Sequence, residues 1–235
     1  MDDDTTRITR RRSLVGAGGV LIAAVASGCG IGGGGDEPAA TTSSGPDGVA
    51  SGRVSCVLAP EQTEGPFYVS DSPERRDVTE GRPGTPLALA LEVVNASSCK
   101  PVRGASVDIW HTDALGEYSG TEGDSGTFMR GVQRTGSDGV ARFSTVYPGW
   151  YSGRAVHIHV KVHVGGGVVH TGQIYFPDET TDAAYRAEPY STRPGPEVRN
   201  GADFVFRNGG SKSLLEVRRD GDGYAASITM GVQAA

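Results

Sequence analysis

Thr135-Gly136-Ser137-Asp138-Gly139-Val140-Ala141-Arg142-Phe143-Ser144-Thr145-Val146 is a turn signal running straight into a strand. Ser, Asp and Gly in succession suit a tight reversal, and the β-branched and aromatic run behind them, Val140 to Val146, suits a strand. The same grammar recurs outward in both directions. Strand-like runs cover Pro86 to Val94, Ala105 to Trp110, Val156 to Val164, Gly172 to Phe176, Phe204 to Phe206, Leu214 to Val217 and Ala225 to Met230. Gly116-Glu117, Gly165 to Gly167 and Asp220-Gly221-Asp222-Gly223 separate some of them, as turn residues do. No long stretch carries a sustained helical period and no internal repeat is present, so the expected fold is all-β, a β-sandwich.

A strand opening at Gly104-Ala105, then Thr135 to Gly139, then Ala141-Arg142-Phe143 resembles the pattern of prealbumin-like sandwich modules. Many such modules only bind or support other structures, so a non-catalytic binding module stands beside any enzymatic reading.

The N-terminal part has a different character. Arg10-Arg11-Arg12 precede an uncharged run of Ala, Val, Leu and Gly, and residues 1–28 read as a signal peptide of the twin-arginine type. The run is too short and too interrupted by glycine for a membrane span, which takes about 20 apolar residues. Ala26-Ser27-Gly28-Cys29 resembles a lipobox, which makes Cys29 the expected site of a lipid anchor and gives either a cell-surface or a secreted protein. Residues 29–52, with four consecutive glycines and then Ala, Thr, Ser, Gly and Pro, read as a flexible linker. The folded domain is expected over 53–235.

Segment 1–28 holds three Asp and four Arg, so the rest of the chain is more acidic than the formal −6 of the whole. An acidic domain without a Lys/Arg block is a poor partner for nucleic acid. Once Cys29 is assigned, Cys56 and Cys99 remain, and an even pair in an oxidising compartment is expected to form a disulfide.

Val156-His157-Ile158-His159-Val160 carries the sharpest chemical signal. In a strand, alternate side chains share a face, so His157 and His159 project together while Val156, Ile158 and Val160 enter the core. His163 shares that face but lies too far along, at about 3.3 Å per residue, to join them. Two imidazoles on a rigid strand suit a metal. A cupin, the rival metal enzyme, would place a Glu shortly after the pair, where this chain has Lys161, Val162, His163 and Val164. The neighbourhood offers tyrosines: Tyr151 in Pro148-Gly149-Trp150-Tyr151-Ser152-Gly153-Arg154, and Tyr118 after Trp110-His111-Thr112-Asp113.

With Thr63-Glu64-Gly65-Pro66-Phe67-Tyr68 and Thr171-Gly172-Gln173-Ile174-Tyr175-Phe176, these ordered motifs resemble the intradiol ring-cleavage dioxygenases, the family of protocatechuate and catechol dioxygenases, especially its extracellular bacterial branch. The resemblance implies one Fe(III) per chain held by Tyr118, Tyr151, His157 and His159, with Tyr151, Arg154 and Gln173 taking part in catalysis. It also implies a catechol and O2 as substrates, cleavage between the two hydroxyls and a cis,cis-muconate-type product. Hard anionic donors favour iron(III), and the cation's charge lets a phenol with a pKa of about 10 bind deprotonated. Arg154 would stabilise charge building on the ring, and Gln173 would donate to a developing oxyanion. Tyr68 and Trp150, next to the motifs, are expected to line the pocket.

Overall fold

Alternation along the first strand, β1 (Pro86–Asn95), buries Leu87, Leu89, Leu91 and Val93 on one side and leaves Ala88, Ala90 and Glu92 on the other. In the computed structural model, which describes Cys56 and residues 58–121 and 125–234, β1 is an inner strand of a four-stranded sheet. It pairs antiparallel with β4 (Val140–Val146), Leu89 opposite Phe143, and parallel with β8 (Gly223–Val232), Leu89 opposite Ala226. β7 (Glu216–Asp220) completes the order β4-β1-β8-β7. The second sheet has the order β3-β2-β5-β6, formed by β3 (Arg130–Arg134), β2 (Ser106–Trp110), β5 (His157–Val164) and β6 (Gly167–Tyr175). The expected all-β sandwich is therefore the observed architecture.

Between the sheets, Leu87, Leu89, Leu91, Phe143 and Tyr224 share one core with Val107, Ile109, Ile158, Val160 and Ile174. Full burial of such a side chain contributes about 1.5–3 kcal/mol. With its inner face occupied by aliphatics, the second sheet turns His157, His159 and Lys161 outward, as the period of two requires. They are nonetheless buried, because residues 58–77 cross that face as a strap. The Gln62 N–H donates to the Thr171 carbonyl at 2.9 Å, and the Arg75 N–H to the Val132 carbonyl at 3.0 Å. Ahead of the strap, Cys56 forms the expected disulfide with Cys99, 43 residues on, with a Cα–Cα distance of 5.5 Å.

Some elements differ from expectation. Phe204–Phe206 is a turn, not a strand: Asp203 Oδ1 accepts the N–H groups of Val205 and Phe206, at 2.8 and 2.9 Å, and curls the chain. β6 begins at Gly167, five residues before the expected start, pairing its extra length with the far end of β5 across a bulge at Val162/His163. β3 had no apolar alternation to announce it; its Gly131 is there for space, since a Cβ would sit 2.6 Å from Val78 Cγ1. A short helix, α1 (Asp178–Ala184), follows Pro177, with only Thr181 and Ala184 buried. The segment 1–28, Cys29 and the 29–52 linker lie outside the described residues.

Candidate metal centre

Strand β5 presents His157 and His159 side by side, with Nε2 atoms 3.1 Å apart. Their cross-strand neighbours are Tyr175 opposite His157, and Gln173 and Trp110 flanking His159. The Trp110 indole stacks on the His159 ring, with centroids 4.8 Å apart and planes 7° from parallel. His157 Nδ1 lies 2.6 Å from the Ala155 carbonyl. A carbonyl only accepts, so Nδ1 carries the proton and Nε2 keeps its lone pair. Burial pushes the His157 pKa down to about 3 and that of His159 well below its ordinary value. Both rings are therefore neutral at physiological pH, the form that binds metals.

The phenols come from two loops. Tyr118 follows β2, in a loop pinned by the buried Arg130, whose Nε and Nη2 donate to the Ser119 carbonyl at 3.2 and 2.5 Å. Tyr151 follows β4, and its hydroxyl lies 3.4 Å from His157 Nε2. The two phenol rings meet edge to face, 5.5 Å apart. Although Tyr118 as a residue is half-buried, its hydroxyl oxygen is enclosed and makes no hydrogen bond of acceptable geometry, with Tyr151 beside it. Burial, and next the neighbouring Tyr151, hold the Tyr118 phenol well above its ordinary pKa. A desolvated hydroxyl without a well-formed hydrogen bond costs free energy, and a cation here would both satisfy it and favour its anion.

No three His, Cys, Asp or Glu side chains cluster to hold a metal among the described residues. The donor set is instead two imidazole nitrogens and two phenol oxygens, with both histidines and the Tyr118 oxygen sheltered from water. Two phenolates and a hydroxide would balance a trivalent charge, so the residues present fit a hard ferric ion. His163, opposite Ser106 and beyond the bulge, is apart from the four.

Arg154 and Gln173 join the same cluster. Arg154 Nη1 donates to the Tyr151 hydroxyl at 3.3 Å, and Nη2 donates to Gln173 Oε1 at 2.5 Å. Gln173 Oε1 also accepts from the Tyr175 hydroxyl at 2.9 Å, while Gln173 Nε2 donates to the Thr63 carbonyl at 3.0 Å. One N–H of the Gln173 amide is thus already engaged by the strap.

Three contributors were not singled out from the sequence, although Gly65 and Phe67 lie within the 63–68 motif. Phe67, not Tyr68, walls the phenols, stacked on Tyr118 at 4.3 Å and edge-on to Tyr151 at 5.9 Å. Tyr68 packs on Trp110, at 4.8 Å, and Trp150 lies under the Arg193 guanidinium, at 4.3 Å. Alternation in the strap would have separated Phe67 from Tyr68 only if the strap were a regular strand, which it is not. Gly65 closes against His159: its φ is +74°, and a Cβ would lie 3.2 Å from His159 Cε1. Asp203, fully buried, bonds to Arg154 Nε at 2.8 Å. Burial pushes the Asp203 carboxyl up, but hydrogen bonds from Arg154 and from the Phe206 and Ala155 N–H groups outweigh it and hold its pKa below the usual range.

Cavity size alone does not point here. A cleft of about 490 Å3 lies on the outer face of the other sheet, between Ala88, Arg142, Arg218 and Ser227, and none of the cluster lines it.

The Dioxygenase_C family model, described as Dioxygenase, matches residues 63–185, a stretch holding Tyr118, Tyr151, Arg154, His157, His159 and Gln173. The chain is 33% identical over 135 residues to a chlorocatechol 1,2-dioxygenase of Cupriavidus pinatubonensis, covering 48% of this chain and 52% of that protein. It thus spans about half the length of the curated relatives it matches. Among solved structures it is similar to an intradiol ring-cleavage dioxygenase from Tetranychus urticae, with a TM-score of 0.72 and 32% identity over 75% of this chain and 94% of that one. It is also similar to the dioxygenase domain of a dioxygenase carbohydrate-binding protein fusion from Streptomyces sp. SirexAA-E, with a TM-score of 0.61 and 35% identity over 76% and 99%.

Proposed function

Because the chain belongs to the intradiol ring-cleavage dioxygenase family, we propose that it binds one ferric ion through Tyr118, Tyr151, His157 and His159. With O2 it cleaves catechol-type rings between the two hydroxyls, giving cis,cis-muconate-type products. The observation that carries this reading is the meeting of two neutral, buried imidazoles with two phenols, the Tyr118 hydroxyl being enclosed beside Tyr151. Residues 1–28 direct export, and Cys29 carries a lipid anchor.

When bound, the ion supplies Lewis acidity toward the catechol oxygens. The other contributions come from the chain. His157 is fixed in one tautomer by the Ala155 carbonyl and serves only as a ligand. Tyr151 is the phenol with Arg154 on its oxygen. Burial raises the Tyr151 pKa, so this oxygen, when not held as phenolate, takes up a proton, and the hydroxyl of an entering catechol can supply it. Arg154 remains charged throughout and cannot act as a base; its fork stabilises the negative charge that develops on the ring. Gln173, with one N–H on Thr63, has a second N–H for an oxyanion. Phe67 and Trp110 keep bulk water from the phenols and His159.

The test is to load the purified protein with iron and measure its visible absorption, and its oxygen uptake with catechol, protocatechuate and larger plant-derived catechols. A red-brown protein, from phenolate-to-iron(III) charge transfer, that consumes O2 with at least one of them is expected. A colourless iron-loaded protein, or one inert to the whole panel, overturns the reading.

A further inference from the structure

Arg154 is useful to the chemistry proposed above only if its fork is aimed, and a long guanidinium side chain has many rotamers to lose. Its Nη atoms do not aim themselves. Nη1 donates to the neutral Tyr151 hydroxyl at 3.3 Å, and Nη2 to the neutral Gln173 Oε1 and Tyr175 hydroxyl at 2.5 and 3.4 Å. The one anion on the guanidinium is Asp203, whose Oδ2 takes Nε at 2.8 Å, while its Oδ1 lies 3.5 Å from Nη2. Asp203 is itself locked from the backbone on both sides. Oδ2 also accepts the N–H of Ala155 at 2.8 Å, and Oδ1 accepts those of Val205 and Phe206 at 2.8 and 2.9 Å. A carboxylate with so many donors has no rotational freedom left, and it ties the turn at 203–206 to the residue preceding β5's histidines by two positions.

We propose that Asp203 is a positioning residue: it sets the orientation of Arg154, so that the guanidinium faces Tyr151 and Gln173 instead of solvent. This rests on the functional reading above and extends it to a residue that makes no hydrogen bond to the proposed metal ligands. The division of labour between its two oxygens makes the proposal testable. In Asp203→Asn, the amide oxygen can keep the Val205 and Phe206 N–H groups, so the turn survives. The amide nitrogen then points its hydrogens at two other donors, Arg154 Nε and the Ala155 N–H, and the guanidinium loses its anchor. Asp203→Glu keeps the charge but displaces it by one methylene.

The experiment compares iron-loaded wild type, Asp203→Asn, Asp203→Glu, Arg154→Ala and the Asp203→Asn/Arg154→Ala double variant. The measurements are oxygen uptake with the best catechol of the panel, iron per chain, unfolding temperature, and a crystal structure of each Asp203 variant that folds. Asp203→Asn and Asp203→Glu are expected to lower kcat about ten- to a hundredfold, the range for a misaimed group, with iron per chain unchanged. The double variant should be no slower than Arg154→Ala alone, because a residue acting only through Arg154 has nothing further to lose. Losses that multiply in the double variant, or a lower unfolding temperature with wild-type kcat, would mark Asp203 as structural and overturn the proposal. If wild type turns over no catechol, the functional reading fails, and the positioning claim is decided by the crystals. A turned-away guanidinium in Asp203→Asn or Asp203→Glu supports it, and one in its wild-type place overturns it.

Discussion

The Tyr118 hydroxyl is enclosed beside Tyr151, and its place in the ligand set is open to a direct test. As a proposed ligand, Tyr118→Phe should lower iron per chain, as should His157→Ala, whereas His163→Ala should not. Equal loading in all three variants by metal analysis would remove the ligand assignment. Arg154 gives a second residue-scale expectation. If its charge acts on the transition state, Arg154→Ala depresses kcat and kcat/KM alike, by about a hundred- to a thousandfold. Unchanged kcat with a raised KM would show that it only binds substrate.

At the scale of elements, the β2–β5 pair carries a titrating strain. Asp108 stands opposite Lys161, and burial raises its pKa from 3.8 to about 6, although Ser72, Tyr68, Lys161 and Arg130 all pull the other way. An acid whose pKa is raised on folding weakens the fold once it ionises. Below about pH 4 both states are protonated and the penalty is absent; it grows as pH rises toward 6 and stays above it. A rise of that size corresponds to about 3 kcal/mol. Asp108→Asn should accordingly match wild type in urea unfolding at pH 4 and exceed it by about that amount at pH 7. Equal stability at both pH values would show that Asp108 is solvated well enough to ionise freely. Some elements were legible in the sequence and others were not, for identifiable reasons. β1 and β4 have one face buried, and their alternation announces them. Arg130–Arg134 has a glycine and charged residues because its place at the sheet edge asks for room around Val78, not for apolar alternation. Phe204–Phe206 looks like a strand until Asp203's carboxylate takes its backbone N–H groups.

For the whole molecule, the Cys56–Cys99 bridge closes 43 residues of sequence separation and fastens the chain just ahead of the strap to the sandwich. On the chain-entropy model such a closure stabilises by about 4 kcal/mol. The Cys56→Ser/Cys99→Ser double variant should lose roughly that much in denaturant unfolding, and an unchanged midpoint would show that the strap's own contacts suffice. The proposed anchor is tested in cells: Cys29→Ala should move the protein from the membrane fraction to the soluble exterior. Its retention on membranes would rule out acylation as the tether.

The sandwich and the pairing of His157 with His159 are written in the order of residues alone, because a period of two is a local property of any strand and needs no distant partner. The tyrosines, arginine and glutamine are carried there too, as ordered motifs. Which aromatic residue of the strap faces the phenols, and what aims Arg154, was settled by packing in three dimensions. Phe67 and Tyr68 are adjacent in an irregular segment, so their directions follow from the sheet face they lie on. Asp203 reaches Arg154 across 49 residues, and no spacing rule links them, since a carboxylate's partner is fixed by where two loops meet after the sheets have packed.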